Sequence, residues 1–97
     1  MNGVRQNAHA GTLESSDLFV QVFPHDHGVE IELNSDVEEI YGDAIHELIH
    51  ETLKGMKIDN VRLIIQDKGA LDFVIKARLQ TALLRAIGSE SIDWSTL

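Results

Sequence analysis

The sequence predicts a two-layer α+β sandwich: a small mixed sheet with two helices on one face, in the order β-β-β-α-β-α. Three observations carry this. Apolar residues recur at every second position in 18–22, 29–34 and 61–65, the period-two pattern of strands with one buried face. Apolar residues recur at helical spacing over 37–56 and again over 70–87. The connection from the third strand through the first helix to the fourth strand is long enough for a right-handed parallel crossover.

In chain order, residues 1–8 are polar and aperiodic and read as a loose N-terminal arm. "AHAGTLE" (8–14) has weak strand character, and "SSD" (15–17) is a turn of small polar residues. "LFVQVFP" (18–24) places Leu18, Val20 and Val22 on one face, and Pro24 ends it or marks an edge. "HDHG" (25–28) is a turn. "VEIELN" (29–34) points Val29, Ile31 and Leu33 inward and Glu30 and Glu32 outward. A short turn between two such strands predicts a hairpin. "SDVE" (35–38) fits a capping box, with Ser35 as N-cap and Glu38 reaching back. The helix after it has a broad apolar face made by Val37, Ile40, Tyr41, Ala44, Ile45, Leu48, Ile49, Leu53 and Met56, and Gly55 is its stop. "NVRLIIQ" (60–66) is the fourth strand and "DKG" (67–69) a turn. "ALDFVIKARLQTALLRAI" (70–87) is the second helix, stopped by Gly88. A tail, 88–97, carries Trp94, expected to pack back on the domain.

Composition narrows the function. The 97 residues amount to one domain, 1–97, with 43% apolar and 25% charged side chains. A net charge of −8 argues against nucleic acid and against an anionic membrane surface as partners, and favours a basic protein. With no cysteine, disulfides, thiolate metal sites and Cys nucleophiles are excluded. The N-terminus has no apolar signal region, and no apolar run approaches the ~20 residues of a membrane span. A cytoplasmic location is the expectation.

The most conspicuous motif is "HELIHE" (46–51), which fits the zinc-hydrolase pattern H-E-x-x-H through His46, Glu47 and His50. Two His at i and i+4 share a helix face and can ligate zinc, with the Glu as general base. The surrounding sequence opposes this. With Val37 at zero and about 100° per residue, the apolar arc runs from about −60° to about 160°. His46 falls near 180° and His50 near 220° on the same wheel of about 100° per residue, among Glu39, Asp43 and Lys54. The extended motif also requires Gly at 53 and His at 56, where this chain has Leu53 and Met56. The preferred reading is a solvated helix face. A small zinc hydrolase stands as the alternative of another class, and a plain interaction module as a third. "PHDHG" (24–28), with His25 and His27, reads as a turn.

"AGTLESSD" (10–17) is, on its residues alone, a polar turn between strands whose serines lack a recognisable activating base. No G-x-S-x-G or P-loop pattern is present. Together with "NSDVEEIYGDAI" (34–45) and "DKGALDFVIKARLQTALLRA" (67–86), however, it resembles the acyl carrier protein, or gamma subunit, of citrate lyase: three blocks in the same order at the same separations. The resemblance implies a non-catalytic carrier. A phosphoribosyl-dephospho-coenzyme A arm is attached to a serine through a phosphodiester, and its thiol holds acetyl and then citryl groups. The implied partners are an alpha subunit that exchanges acetyl for citrate, a beta subunit that cleaves the citryl thioester to oxaloacetate, and a transferase that attaches the arm. The matching serine is Ser15, with Ser16 as second choice. Lys68 and Gly69, just before the second helix, are possible docking points for the arm's phosphates. Carriers of citramalate lyase or malonate decarboxylase are the near alternatives. Ordinary acyl carriers are helical bundles with Asp-Ser-Leu at a helix start, so their phosphopantetheine modification does not carry over to this Glu-Ser-Ser-Asp turn.

Overall fold

A computed structural model describes residues 3–88. The elements follow the expected order: β1 (Ala8–Gly11), β2 (Leu18–Phe23), β3 (Val29–Ser35), α1 (Glu38–Gly55), β4 (Val61–Asp67) and α2 (Asp72–Ile87). One mixed four-stranded sheet is formed, in the order β1-β2-β4-β3. The β1–β2 and β2–β4 pairs are antiparallel and the β3–β4 pair is parallel.

Strand alternation sorts the sheet into two faces. Leu18, Val20 and Val22 of β2 and Val61, Leu63 and Ile65 of β4 are buried, and their register places Val20 beside Ile65 and Val22 beside Leu63. The same cluster takes in Ile45, Ile49 and Leu53 from α1 and Ile75, Leu79, Ala82, Leu83 and Ala86 from α2. Both helices therefore cover one face, while Phe19, Gln21, Arg62 and Ile64 remain half-exposed on the other. Each fully buried Leu, Ile or Val contributes about 1.5–3 kcal/mol, so this single layer of contact is the domain's main source of stability.

Four expectations need correction. β2 and β3 do not form a hairpin, because β4 lies between them and pairs with both. Every second residue of β4 is buried and the rest are half-buried, so the centre of the sheet suits it. β3 exposes Glu30, Glu32 and Asn34, and its charges suit an edge. The hairpin that does form is β1–β2. The loop from β2 to β3 instead spans β4 and is pinned to its start, where Gly28 N–H donates to Asn60 Oδ1 (2.8 Å) and Val61 N–H donates to Gly28 O (3.0 Å).

The capping box is also absent. The N-cap of α1 is Val37, with no side-chain cap, and Ser35 still belongs to β3. Ser35 is the register partner of Asp67 on β4, and its hydroxyl donates to Asp67 Oδ2 at 2.7 Å while accepting from Val37 N–H at 3.1 Å. A buried carboxylate is the stronger acceptor and holds the hydroxyl. Third, the apolar face of α1 is narrower than its spacing predicts, because Ile40 and Tyr41 are exposed. Fourth, residues 4–6 are not a loose arm. Val4 is buried in the core, and Arg5 and Gln6 both donate backbone N–H groups to Ala86 O (2.9 and 3.1 Å). Gly88 caps α2 in the left-handed conformation as expected (φ 76°). Trp94 lies outside the described residues.

Gly11 is confined by sterics. Its φ is 92°, and a β-carbon there would overlap the carbonyl of Leu18 across the hairpin. Gly28 has φ 83° but open space around it. Gly11→Ala is expected to lower stability by about 3 kcal/mol or more and Gly28→Ala by about 1 kcal/mol, read from urea unfolding. Equal effects would refute the account of Gly11.

Candidate functional site

Residues 12–16 of the β1–β2 turn are all exposed, yet their conformation is determined by Asp17. Thr12 Oγ1–H donates to Asp17 Oδ2 (2.6 Å) and Leu18 N–H to Asp17 Oδ1 (2.7 Å). Arg78, from α2, grips the same carboxylate with both arms of its fork, Nε to Oδ1 at 3.0 Å and Nη2 to Oδ2 at 2.9 Å. The Asp17 side chain is only 13% exposed. Inside the turn, Thr12 Oγ1 accepts from Glu14 N–H (3.2 Å) and Glu14 O accepts from Asp17 N–H (3.1 Å). Ser16 takes the left-handed conformation (φ 65°), which reverses the chain.

The turn is zipped to the loop between β4 and α2. Ser16 N–H donates to Lys68 O (2.8 Å), and Lys68 N–H donates to Asp17 O (2.9 Å). Asp67 braces that loop from below: it is 1% exposed, and its Oδ1 accepts from Ala70 N–H at 2.9 Å. Its backbone carbonyl accepts from Asp36 N–H (3.1 Å), so the β3–α1 connection joins the same corner. Lys68 Nζ lies 3.8 Å from Asp36 Oδ1, a loose pair with both side chains substantially in water. Thus Ser15, Ser16, Lys68 and Gly69, far apart in sequence, share one end of the sheet. Among the described residues Ser15 Oγ enters no hydrogen bond. Among the described residues no base is hydrogen-bonded to it to activate it as a nucleophile.

His46 and His50 do not join this corner. His46 is partly exposed and His50 exposed on α1. Among the described residues, no three His, Cys, Asp or Glu side chains gather to hold a metal ion. His25 belongs to its own loop, where Nδ1 accepts from His27 N–H (3.1 Å) and Nε2 contacts Glu30 Oε2 (2.8 Å).

Sequence reading missed Asp17 and Arg78 as the pair that shapes the turn, and Asp67 as the brace. The signals were periodic. Arg78 interrupts the inward stripe Ile75, Leu79, Ala82, and Asp67 occupies the inward phase of Val61, Leu63, Ile65. A charge in a core phase demands a partner.

Arg78 first, then Thr12 and the Leu18 amide, lower the pKa of Asp17 from 3.8 to about 2. The unfolded chain takes up this proton near 3.8 and the folded chain near 2, so the clamp's stability is complete above the first value and is lost on descending through the second. Asp17→Asn is expected to lower stability at pH 7 and to flatten its acid dependence between pH 4 and pH 2, measured by chemical unfolding across that range. An unchanged acid slope would contradict the clamp.

Comparison with known proteins places this geometry. Residues 5–86 match the family model described as ACP, malonate decarboxylase delta subunit (MdcD). The citrate lyase acyl carrier protein of Halothermothrix orenii is 47% identical over 91 residues, covering 93% of this chain and 97% of the relative. That of Vibrio cholerae serotype O1 (strain ATCC 39541) is 48% identical over 91 residues, covering 93% of each chain. In the crystal structure of a Pseudomonas malonate decarboxylase hetero-tetramer in complex with malonate, one chain shares this fold, with a TM-score of 0.77 over 88% of both chains and 23% identity. Near-complete coverage at almost half identity extends from the serine turn through α2, and the chain belongs to the citrate lyase acyl carrier protein family.

Proposed function

We propose that this chain is the acyl carrier subunit of a citrate lyase complex, with its prosthetic group attached to Ser15. Full-length similarity to citrate lyase acyl carrier proteins supports the carrier role and its place in a multi-subunit complex. Both Ser15 and Ser16 offer an exposed hydroxyl, free of hydrogen bonds among the described residues, in a turn whose flanking Thr12 and Asp17 are engaged; the observation that favours Ser15 is its backbone, which is not tied to the neighbouring loop as that of Ser16 is. A phosphodiester at Ser15 displaces no hydrogen bond of that hydroxyl among the described residues. Ser16 is less suited, because its backbone is held in the left-handed region and bonded to Lys68 O.

The charges near Ser15 also suit the proposed phosphoribosyl-dephospho-coenzyme A. An anionic link beside Asp17 would ordinarily suffer repulsion, but Arg78 and Thr12 already satisfy that carboxylate. Lys68 has only a 3.8 Å pairing with Asp36 to give up in order to reach a phosphate. Gly69 (φ 85°) leaves the adjoining backbone without a side chain. When bound, the group supplies a thiol on which an acyl group is carried. This chain's part is to hold the anchor in an exposed, shaped turn and to offer it to an alpha subunit, a beta subunit and the attaching transferase. Tethering sets the thiol's effective concentration at each partner near the millimolar range. The chain adds no cysteine of its own to compete for the acyl group. No helix among the described residues is long and apolar enough to cross a membrane, and a cytoplasmic setting fits this reading.

A second reading, the carrier of malonate decarboxylase, is favoured by the matching family description and the hetero-tetramer fold. Identity of 46–48% to several citrate lyase carriers, against 23% to the malonate decarboxylase chain, favours citrate lyase.

Intact mass of the protein, produced where the transferase and lyase subunits are active, tests the anchor. The wild type and Ser16→Ala are expected to carry the full adduct, and Ser15→Ala none. An adduct retained in Ser15→Ala and lost in Ser16→Ala would move the anchor by one residue; an unmodified wild type beside active lyase would sink the carrier reading. Lys68→Glu is expected to reduce lyase turnover several-fold, and unchanged attachment and turnover would remove Lys68 from the docking of the arm.

A further inference from the structure

Among the described residues, six large apolar side chains are exposed, and five of them, Leu13, Ile40, Tyr41, Leu71 and Phe73, belong to segments at the serine end of the domain. Leu13 is in the β1–β2 turn. Ile40 and Tyr41 are in the first turn of α1, which follows β3, and Leu71 and Phe73 start α2, which follows β4. The paired residues Leu18, Asp67 and Ser35 show that these three connections leave the sheet at one end. Ile40 is 77%, Phe73 70%, Leu71 63% and Tyr41 55% exposed. A hollow of about 580 Å³ runs between the helix starts, lined by Tyr41, Ala44, Ala70, Leu71 and Phe73. A second, of about 280 Å³, shares Val37 with it and reaches Ile40. A contiguous apolar area of this kind marks an interaction surface.

Its charge identifies the occupant. Asp36, Glu38 and Glu39 line the smaller hollow and Asp72 the larger, and no Lys or Arg lines either. Lys68 offsets Asp36 from outside the hollows at 3.8 Å, but an arm rich in phosphate that entered them would still meet Glu38, Glu39 and Asp72 and be repelled. A second copy of this chain, with net charge −8, would bring the same acidic rim against them. Complementarity selects an apolar projection ringed by Lys and Arg. Resting on the carrier reading above, we propose that this end is the docking surface for the catalytic subunits of the complex, through an apolar projection with a basic rim. Tyr41 and Phe73 are its anchors, since exposed aromatics at the centre of such a patch supply most of an interface's affinity. The contact would seat a partner beside the turn that bears Ser15.

The test titrates the full-length chain, with arm content checked by intact mass, into the assembled catalytic subunits of its own complex. Tyr41→Ser with Phe73→Ser is expected to raise Kd at least tenfold while leaving the thermal unfolding midpoint in place, because both side chains are exposed. Should the double variant melt early, Phe73→Ser alone is compared. Glu39→Lys is expected to slow association and weaken its salt dependence. A Kd within twofold of wild type for the aromatic variants would overturn the proposal. So would ring-proton shifts at Tyr41 and Phe73 on attaching the arm without partners, which would make the arm the occupant, or a wild-type dimer in sedimentation that the double variant abolishes. A wild type that arrives armless from cells with active lyase would sink the carrier reading, while binding that the double variant loses would leave the surface standing.

Discussion

The carboxylate of Asp17 is the constraint on which the functional end depends. A turn whose residues 12–16 are all exposed stands in water, where it cannot be held by burial. Here the turn is held through one carboxylate, which collects a hydroxyl, a backbone amide and a bidentate guanidinium. Charge-assisted bonds of this kind are the strong members of their class. Because Arg78 belongs to a helix packed into the core through Ile75, Leu79 and Ala82, the exposed turn inherits the rigidity of that helix. Asp67 does the same for the neighbouring loop, joining Ser35 and Ala70 across the carboxyl ends of the two parallel strands. Two aspartates at one edge of the sheet thus convert three connecting segments into one surface.

The parts of this architecture visible in the sequence are those governed by local periodicity. The alternation in 18–22 and 61–65 became the buried rows of β2 and β4, and the spacing of Ile45, Ile49 and Leu53 became the inner stripe of α1. What local pattern could not decide was competition between distant partners. Adjacent strands with a short link read as a hairpin, yet β4 displaced β3 because its alternate face is more apolar than a row of Glu30, Glu32 and Asn34. Ser35 fitted a cap until Asp67, brought beside it by the parallel pairing, became the better partner. Ile40 and Tyr41 matched the helical phase, but they lie in the first turn of α1, beyond the edge of the sheet that would have covered them. The turn at 12–17 showed its exposed serines plainly, but not that Arg78 would shape it.

The same contrast separates the two motifs that invited a chemical reading. "HELIHE" has the spacing of a zinc site, but chemistry needs convergence, and nothing from another element reaches His46 and His50 to complete a metal's shell among the described residues. Among the described residues the serine turn has no base bonded to its serines, yet loops from three parts of the chain converge on it. For a carrier that is the sensible distribution. Its own side chains fix where the reactive group is attached, and leave bond making and breaking to proteins that come to it.

The grip of Arg78 on Asp17 also joins residues that are sixty-one positions apart in the chain. During synthesis the serines emerge early, but the partner that shapes their turn emerges only when α2 is nearly finished. The form in which Ser15 is displayed is therefore a property of the completed domain, absent from a nascent or truncated chain that contains the same eight letters. For the proposed anchor at Ser15, an attaching enzyme that reads this shape as well as its letters would inspect folding as it selects its substrate, and would mark only chains whose two layers have already closed.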